Sequence, residues 1–535
     1  MRPWLLLACA ASLSAQQTPV ILISLDTLRA DRLGSYGYKP AKTPHLDRWA
    51  GEGTVYEQAS TPVPLTLPAH TALMTSTLPF ENGVESNAST VPPGIFTLAS
   101  FFHSRGYRTG AFVGSIFLEK QLGLDAGFDK YDSPFDFGAF SRLSGEALAA
   151  GTAKRERRPG PLVLRAATQW LNAQGNQPTF TFVHLFDMHK PWAQASYDAQ
   201  LAAVDTMVGN FRQSLERSGL WDKALVILVA DHGEGLGDHG ESDHGYFLYE
   251  STVHIPLLVH WPKSDPTHPQ RVAEPVSLID VAPTIVEYLK LPKPASFHGR
   301  SFLDASPRPV VSASVYAHDS FGWAPLRSLR QGQLKYIDAP REELYDLAGD
   351  PREKRNLAAN RKPDAAKMKA QLARLQKVSS ASPATNRNEA LKSLGYIGPG
   401  PKARAVMPPA DPKDRLPILI QYDAALSLMA SGRTAAAVAA FRKILMADPG
   451  NLLARRDLGV GLIELKRFEE AISELRTVAA TAVEDYVTRY ELGLALEATG
   501  QLPAAVDQFR AACQLATGAA QCSVALQRVQ AKLPK

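Results

Sequence analysis

Acidic and imidazole side chains follow the ends of several β-rich runs in this chain. Asp26 comes directly after Val20–Leu25, Asp231 and His232 after Ala224–Ala230, and Asp187 and His189 just past Thr179–His184. Taken alone, an aspartate in such a place reads as a helix cap, and a lone histidine as a structural one. Three strand ends carrying them together read as a site. Between Gly233 and Gly245, five glycines alternate with Glu234, Asp238, His239, Glu241, Asp243 and His244. That glycine density suits neither a helix nor a strand interior; it makes a loop on which side chains converge. Oxygen and imidazole ligands together fit a divalent cation, Zn or Mn first and Ca or Mg as alternatives. Asp187 and His189, two apart, face the same side if the chain there stays extended. A second stretch, Thr61–Ser76, runs from a proline-rich loop into a helical pattern and carries Thr66 and His70. From the residues alone, Thr66 reads equally as a cap or as a nucleophile.

The elements that must position these groups are short and apolar. Val20–Leu25, Arg108–Val113, Thr179–His184, Ala224–Ala230 and Pro256–His260 are nearly continuous hydrophobic runs, as expected of strands buried on both faces. Helical patterns such as Asp198–Arg217 and Leu278–Leu289 lie between them. The alternation predicts an α/β domain over 18–305 with a largely parallel central sheet flanked by helices. Ligands of such sheets bind beyond the carboxyl ends of the strands, where these residues fall. A small α+β subdomain is expected over 306–380, then a proline-rich linker over 381–414.

The last segment, 415–535, repeats. Gly432, Lys466 and Gly500 are spaced by 34 residues, as are Ala437, Ala471 and Ala505, and Phe441, Leu475 and Phe509. Small residues at fixed positions let paired helices approach, and large ones fill the gaps. This period resembles tetratricopeptide repeats, an all-α array with a concave surface for a peptide or protein partner.

With 535 residues, 45% hydrophobic and 21% charged, the chain is an ordinary multidomain globular protein, and a net charge of +5 is too small to indicate nucleic acid. The basic run Lys154–Arg158 reads as a solvated loop. At the N-terminus, Arg2 precedes an apolar run from Trp4 to Leu13 and small residues up to Ala15. This predicts a signal peptide over 1–15 and a periplasmic or secreted protein; the run is too short to span a membrane. The residues before Cys9 also resemble a lipobox, but the region is very short for a lipid anchor. Cys513 and Cys522 read either as a disulfide in an oxidising compartment or as two buried thiols.

Taken together, the segments Ile23–Arg29, Asp231–Gly240, Tyr249–Glu250, Ser277–Thr284, Gly299–Leu303 and Glu343–Leu347 with Asp350–Pro351 resemble, in order, those of the sulfatase family within the alkaline-phosphatase-like superfamily. The resemblance covers roughly 18–360. It implies the superfamily's sandwich fold and a hydrolase of sulfuric or phosphoric esters. In sulfatases the loop Cys/Ser-x-Pro-x-Arg carries the residue that becomes formylglycine. Here that frame holds Thr66, Pro68 and His70, and a threonine, branched at Cβ, cannot be oxidised to an aldehyde. Thr27 stands where a second metal-binding Asp is usual, and His244 where a sulfate-contacting Lys is usual. These departures resemble the threonine-dependent phosphodiesterase and phosphotransfer branches, and favour phosphate monoesters or diesters. The resemblance implies one metal held by Asp26, Thr66, Asp231 and His232, and a second by Asp187, His189 and His244. It makes Thr66 the nucleophile, with His70 and Lys190 as candidate substrate contacts. An arylsulfatase-like sulfuric ester hydrolase is the alternative. A catalytically silent scaffold that binds partners through its repeats is the third reading.

Overall fold

The structure is a computed structural model that describes residues 18–87, 89–135, 157–377, 409–481, 485–515 and 520–533. The expected signal segment, Cys9 and most of the linker lie outside them.

Eight strands form the central sheet: β1 (Val20–Leu25), β2 (Thr54–Tyr56), β3 (Arg108–Phe112), β4 (Lys130–Asp132), β5 (Thr179–Leu185), β6 (Leu225–Val229), β7 (Leu257–His260) and β8 (Arg271–Val272). Their order across the sheet is β8-β2-β7-β6-β1-β5-β3-β4. Only β7 runs against the rest, pairing antiparallel with both β2 and β6. The apolar runs are buried because helices cover both faces; every residue of β1, β5 and β6 is buried. Helices α1 (Thr66–Thr75), α2 (Gly160–Ala173), α3 (Tyr197–Arg217) and α4 (Val281–Tyr288) belong to this layer. Strand β1 lies between β6 and β5, with Ser24 in register with both Val229 and His184. That register sets the carboxyl ends of three neighbouring strands side by side and carries Asp26, His184 and Asp231 to one edge.

Four antiparallel strands follow: β9 (Pro309–Ser314), β10 (Leu326–Gln331), β11 (Leu334–Asp338) and β12 (Glu343–Asp346). Helix α5 (Lys362–Lys377) packs on them through Ala365, Met368 and Leu372.

The C-terminal part is a series of helix hairpins: α6 (Leu416–Ala430), α7 (Thr434–Ala447), α8 (Leu452–Glu464), α9 (Phe468–Thr481), α10 (Tyr486–Ala498), α11 (Leu502–Leu515) and α12 (Ala520–Gln530). The repeating positions are its core. Ala437, Ala471, Ala505, Phe441, Leu475 and Phe509 are all fully buried. A side chain at Gly493 would strike the Phe509 ring at 2.7 Å, so glycine lets α10 and α11 touch there. Cys513 and Cys522 are joined, their Cα atoms 5.6 Å apart, which ties α11 to α12. Hydrophobic residues of α6 to α12 and of the catalytic sheet belong to one continuous core. No helix among the described residues is long and apolar enough to cross a membrane.

Candidate active site

Asp26 leaves β1 with its backbone N–H donated to the Leu185 carbonyl of β5 at 2.9 Å, so the turn after the strand stays on the sheet. Thr27 then adopts a left-handed backbone (φ 56°) and donates its N–H to Asp231 Oδ1 at 3.2 Å. The same oxygen accepts the His232 N–H at 2.8 Å. Two backbone donors thus fix one oxygen of Asp231 and leave Oδ2 directed into the site.

Asp26, Asp231 and His232 come together as a completely buried trio whose ligand atoms lie within 4.8 Å of one another. Asp26 Oδ1, Asp231 Oδ2, His232 Nε2 and Thr27 Oγ1 are buried with no hydrogen-bond partner. Such orphaned buried atoms are costly unless a ligand satisfies them. His232 Nδ1 lies 2.9 Å from the Gly233 carbonyl, which can only accept, so Nδ1 carries the proton and Nε2 presents its lone pair. Burial pushes the Asp231 carboxyl well above the usual range, and the charge of Asp26 pushes it further. Burial likewise raises Asp26, to about 7, with Asp231 and Thr66 opposing the rise. Burial holds His232 neutral. Two buried carboxyls facing a neutral imidazole lone pair fit a divalent cation by donor type and by charge.

Thr66 is the first residue of α1, and Leu65 precedes it as the cap position. The Thr66 side chain therefore does not cap its own helix. It is buried, and it lies close enough to the Asp26 carboxyl to hold it down against the effect of burial. Of the two sequence readings of Thr66, the helix cap is the one removed.

A second group lies nearby: His189, Asp243 and His244. Each histidine donates from Nδ1 to a carbonyl, His189 to Lys190 at 2.7 Å and His244 to Pro64 at 3.1 Å. Their Nε2 atoms therefore face each other as lone pairs, 3.3 Å apart. Two lone pairs at that distance repel unless a cation or a proton lies between them, and His244 Nε2 is also 3.3 Å from Asp243 Oδ1. This set too has the donors of a divalent-cation site.

One expected assignment is corrected. Asp187 does not join His189 and His244. The chain turns immediately after β5, with the His189 N–H bonded to the Phe186 carbonyl, so the extended geometry that would align them is lost. Asp187 Oδ1 instead accepts the Gly160 N–H at the start of α2 at 3.1 Å. His70 stands beside the first trio, its Nδ1 3.7 Å from Asp231 Oδ2. It is fully buried one helical turn behind Thr66, donating from Nδ1 to the Thr66 carbonyl at 2.7 Å and accepting from Ser24 Oγ at 2.8 Å. Lys190 does stand at the mouth, but it is engaged: its ammonium bonds the Ser242 carbonyl and lies 3.8 Å from Glu234 Oε1.

Several supporting residues gave no distinct sequence signal. His184 accepts from Gly114 N–H at Nδ1, which leaves Nε2 to donate to Asp26 Oδ2 at 3.2 Å and orient it. Arg29, 4% exposed, grips Asp31 and Asp238 at 2.8 Å each and donates to the Glu234 and Gly235 carbonyls, tying the glycine loop to the end of β1. At Gly235 a Cβ would lie 2.3 Å from the Glu241 carbonyl oxygen, so the loop closes only on glycine. Arg157, expected in a solvated loop, donates to the carbonyls of His189, Lys190 and Pro191 and secures that turn. Position within a basic run did not distinguish it.

The arrangement has counterparts in known proteins. A profile described as Sulfatase matches residues 18–291, one for the C-terminal region of N-sulphoglucosamine sulphohydrolase matches 237–379, and one for tetratricopeptide repeats matches 428–487. The chain is 25% identical to the uncharacterised sulfatase YidJ of Escherichia coli, over 63% of this chain and 82% of that protein. It is 24% identical to a Δ4,5-hexuronate-2-O-sulfatase of Bacteroides thetaiotaomicron, over 66% and 87% of the respective chains. The fold is also similar to that of a phosphonate monoester hydrolase of Agrobacterium radiobacter, with a TM-score of 0.55 at 19% identity, covering 69% of this chain and all of that one. With the profile matching half of its length, this chain belongs to the sulfatase family, as a hydrolase of sulfate or phosphate esters with tetratricopeptide repeats at its C-terminus.

Proposed function

We propose that the protein is an exported, metal-dependent hydrolase that cleaves phosphate monoesters or diesters through a threonine nucleophile, Thr66. The observation that carries this reading is the buried Thr66 hydroxyl at Asp26, among orphaned donor atoms of Asp26, Asp231 and His232. Asp26, Asp231 and His232, with the Thr66 hydroxyl, would hold one divalent cation. His189, Asp243 and His244 would hold a second. A cation at such a site supplies positive charge that acidifies a hydroxyl and neutralises the nonbridging oxygens of the ester.

The chain's own residues do the rest. His184 fixes Asp26, Asp26 orients the Thr66 hydroxyl, and the Ser24–His70–Thr66 carbonyl chain fixes the start of α1 from behind. Thr66 Oγ1 bonds to phosphorus as the P–O bond to the leaving alcohol breaks and that alcohol takes up the proton; water then cleaves the bond to Thr66, releasing phosphate from a monoester substrate or the remaining monoester from a diester. Placement at a buried site excludes bulk water from the first step. The Arg2 to Ala15 segment and the joined pair Cys513–Cys522 support export.

The sulfuric ester alternative keeps specific support, since the curated relatives above are named sulfatases. Assay of purified protein with nitrophenyl phosphate, bis-nitrophenyl phosphate and nitrophenyl sulfate decides between the two, with metal content measured on the same sample. The proposal expects turnover of a phosphate ester and bound divalent metal. Cleavage of the sulfate alone overturns the phosphate preference. Loss of all three activities in a metal-replete sample leaves the scaffold reading.

A further inference from the structure

The helical array does not hang from a tether. The Ala324 N–H donates to the Ala410 carbonyl at 2.8 Å, Trp323 Nε1 reaches Asp448 Oδ2 at 3.4 Å, and the Phe321 ring meets the Tyr422 ring edge-on at 5.5 Å. Lys413 bonds Glu343 of β12 and the Arg341 carbonyl. Helix α6 begins on the glycine loop itself: a Cβ built on Gly240 would lie 2.2 Å from Leu416 Cδ2. Residues seven apart share a helix face, so Asp423 lies on the Leu416 side of α6, two turns on. The same loop, running from Gly240 to Gly245, carries Asp243 and His244. The Asp423 carboxyl is half-buried and has no ion pair among the described residues; burial and the charge of Asp243 raise it to about 7 against the pull of Lys190, so a cation brought beside it would favour its ionised form.

An unpaired carboxylate at the rim of a site built for anions repels a bare phosphate or sulfate ester. Its repulsion turns to attraction only for an ester that brings positive charge of its own. We propose that Asp423 is a specificity-determining residue: α6 of the repeat array forms one wall of the active-site mouth, and its carboxylate recognises a cationic amine on the alcohol or phenol portion of the ester. This rests on the hydrolase reading above and narrows it to esters of amine-bearing compounds.

The test compares tyramine O-phosphate with 4-ethylphenyl phosphate, and the corresponding pair of sulfates, on the full chain and on its Asp423→Asn and Asp423→Lys variants. The readout is the ratio of kcat/KM for the amine to that for its neutral partner. Because both substrates are measured on one sample, the ratio does not depend on the fraction of protein that folds. The parent is expected to prefer the amine. Asp423→Asn should lower the ratio roughly fivefold, the scale of a partly exposed charge pair, and Asp423→Lys should lower it further. An identical ratio in all three proteins overturns the inference while leaving the hydrolase reading in place. Failure of the metal-replete parent to cleave either pair overturns that reading, and this inference with it.

Discussion

At the scale of single residues, the account turns on which atoms are left without partners. Asp26 Oδ1, Asp231 Oδ2 and His232 Nε2 converge with none, so Asp231→Asn and His232→Ala should each lower bound metal, read by elemental analysis, and chelation should abolish turnover until Zn or Mn is restored. The replacement of Asp187 by Asp243 in the second group is read by the same assay. Asp243→Asn should reduce metal content, whereas Asp187→Ala should leave it intact and cost only about 1 kcal/mol of stability through the lost bond to Gly160. The residues of the first trio were legible in the sequence because each follows a continuous apolar run, and a buried strand has one place to put a polar group, its end. Asp187 was misread because sequence spacing does not report a turn. His184 and Arg157 were missed because a histidine inside a strand and an arginine inside a basic run have no pattern of their own.

At the scale of elements, an internal ion cluster joins the small sheet to the catalytic unit. Burial alone would raise the Glu250 carboxyl, but Lys335 and Arg330, at 2.8 and 3.0 Å, outweigh it and bring it down to about 2. A carboxyl whose folded value lies below its unfolded one gives stability that is complete above the ordinary glutamate range and is lost as pH falls toward 2. Denaturant titrations at pH 7, 4 and 3 should therefore show Glu250→Gln less stable than the parent at pH 7 by about 3 kcal/mol, and less sensitive to acid. In the array, Gly493→Val would push a side chain into the Phe509 ring, and urea unfolding should register a loss of about 1–3 kcal/mol. The strands and repeat helices were readable from apolar runs and from the recurring period. The reversed direction of β7 was not, because a buried run looks the same in either direction.

At the scale of the whole molecule, the array is part of the enzyme's surface rather than an appendage. A chain ending before α6 would expose Phe321 and Trp323, which are 4% and 3% exposed in the intact protein. Its catalytic part should melt several degrees lower by calorimetry; an unchanged midpoint would mean the two parts are energetically independent. That docking could not be read from sequence, because the proline-rich stretch around the linker has the composition of a flexible tether, and composition does not say whether the helices beyond it return to the catalytic unit.

The central claim is that the Thr66 hydroxyl performs the displacement. Peptide mass spectrometry of protein acid-quenched during turnover tests it most directly, with Thr66→Ala run in parallel. The account predicts a phosphoryl or sulfuryl group on Thr66 in the parent, and turnover in Thr66→Ala lower by at least about a thousandfold. The group on a different side chain, or near-parental turnover by Thr66→Ala, would contradict it.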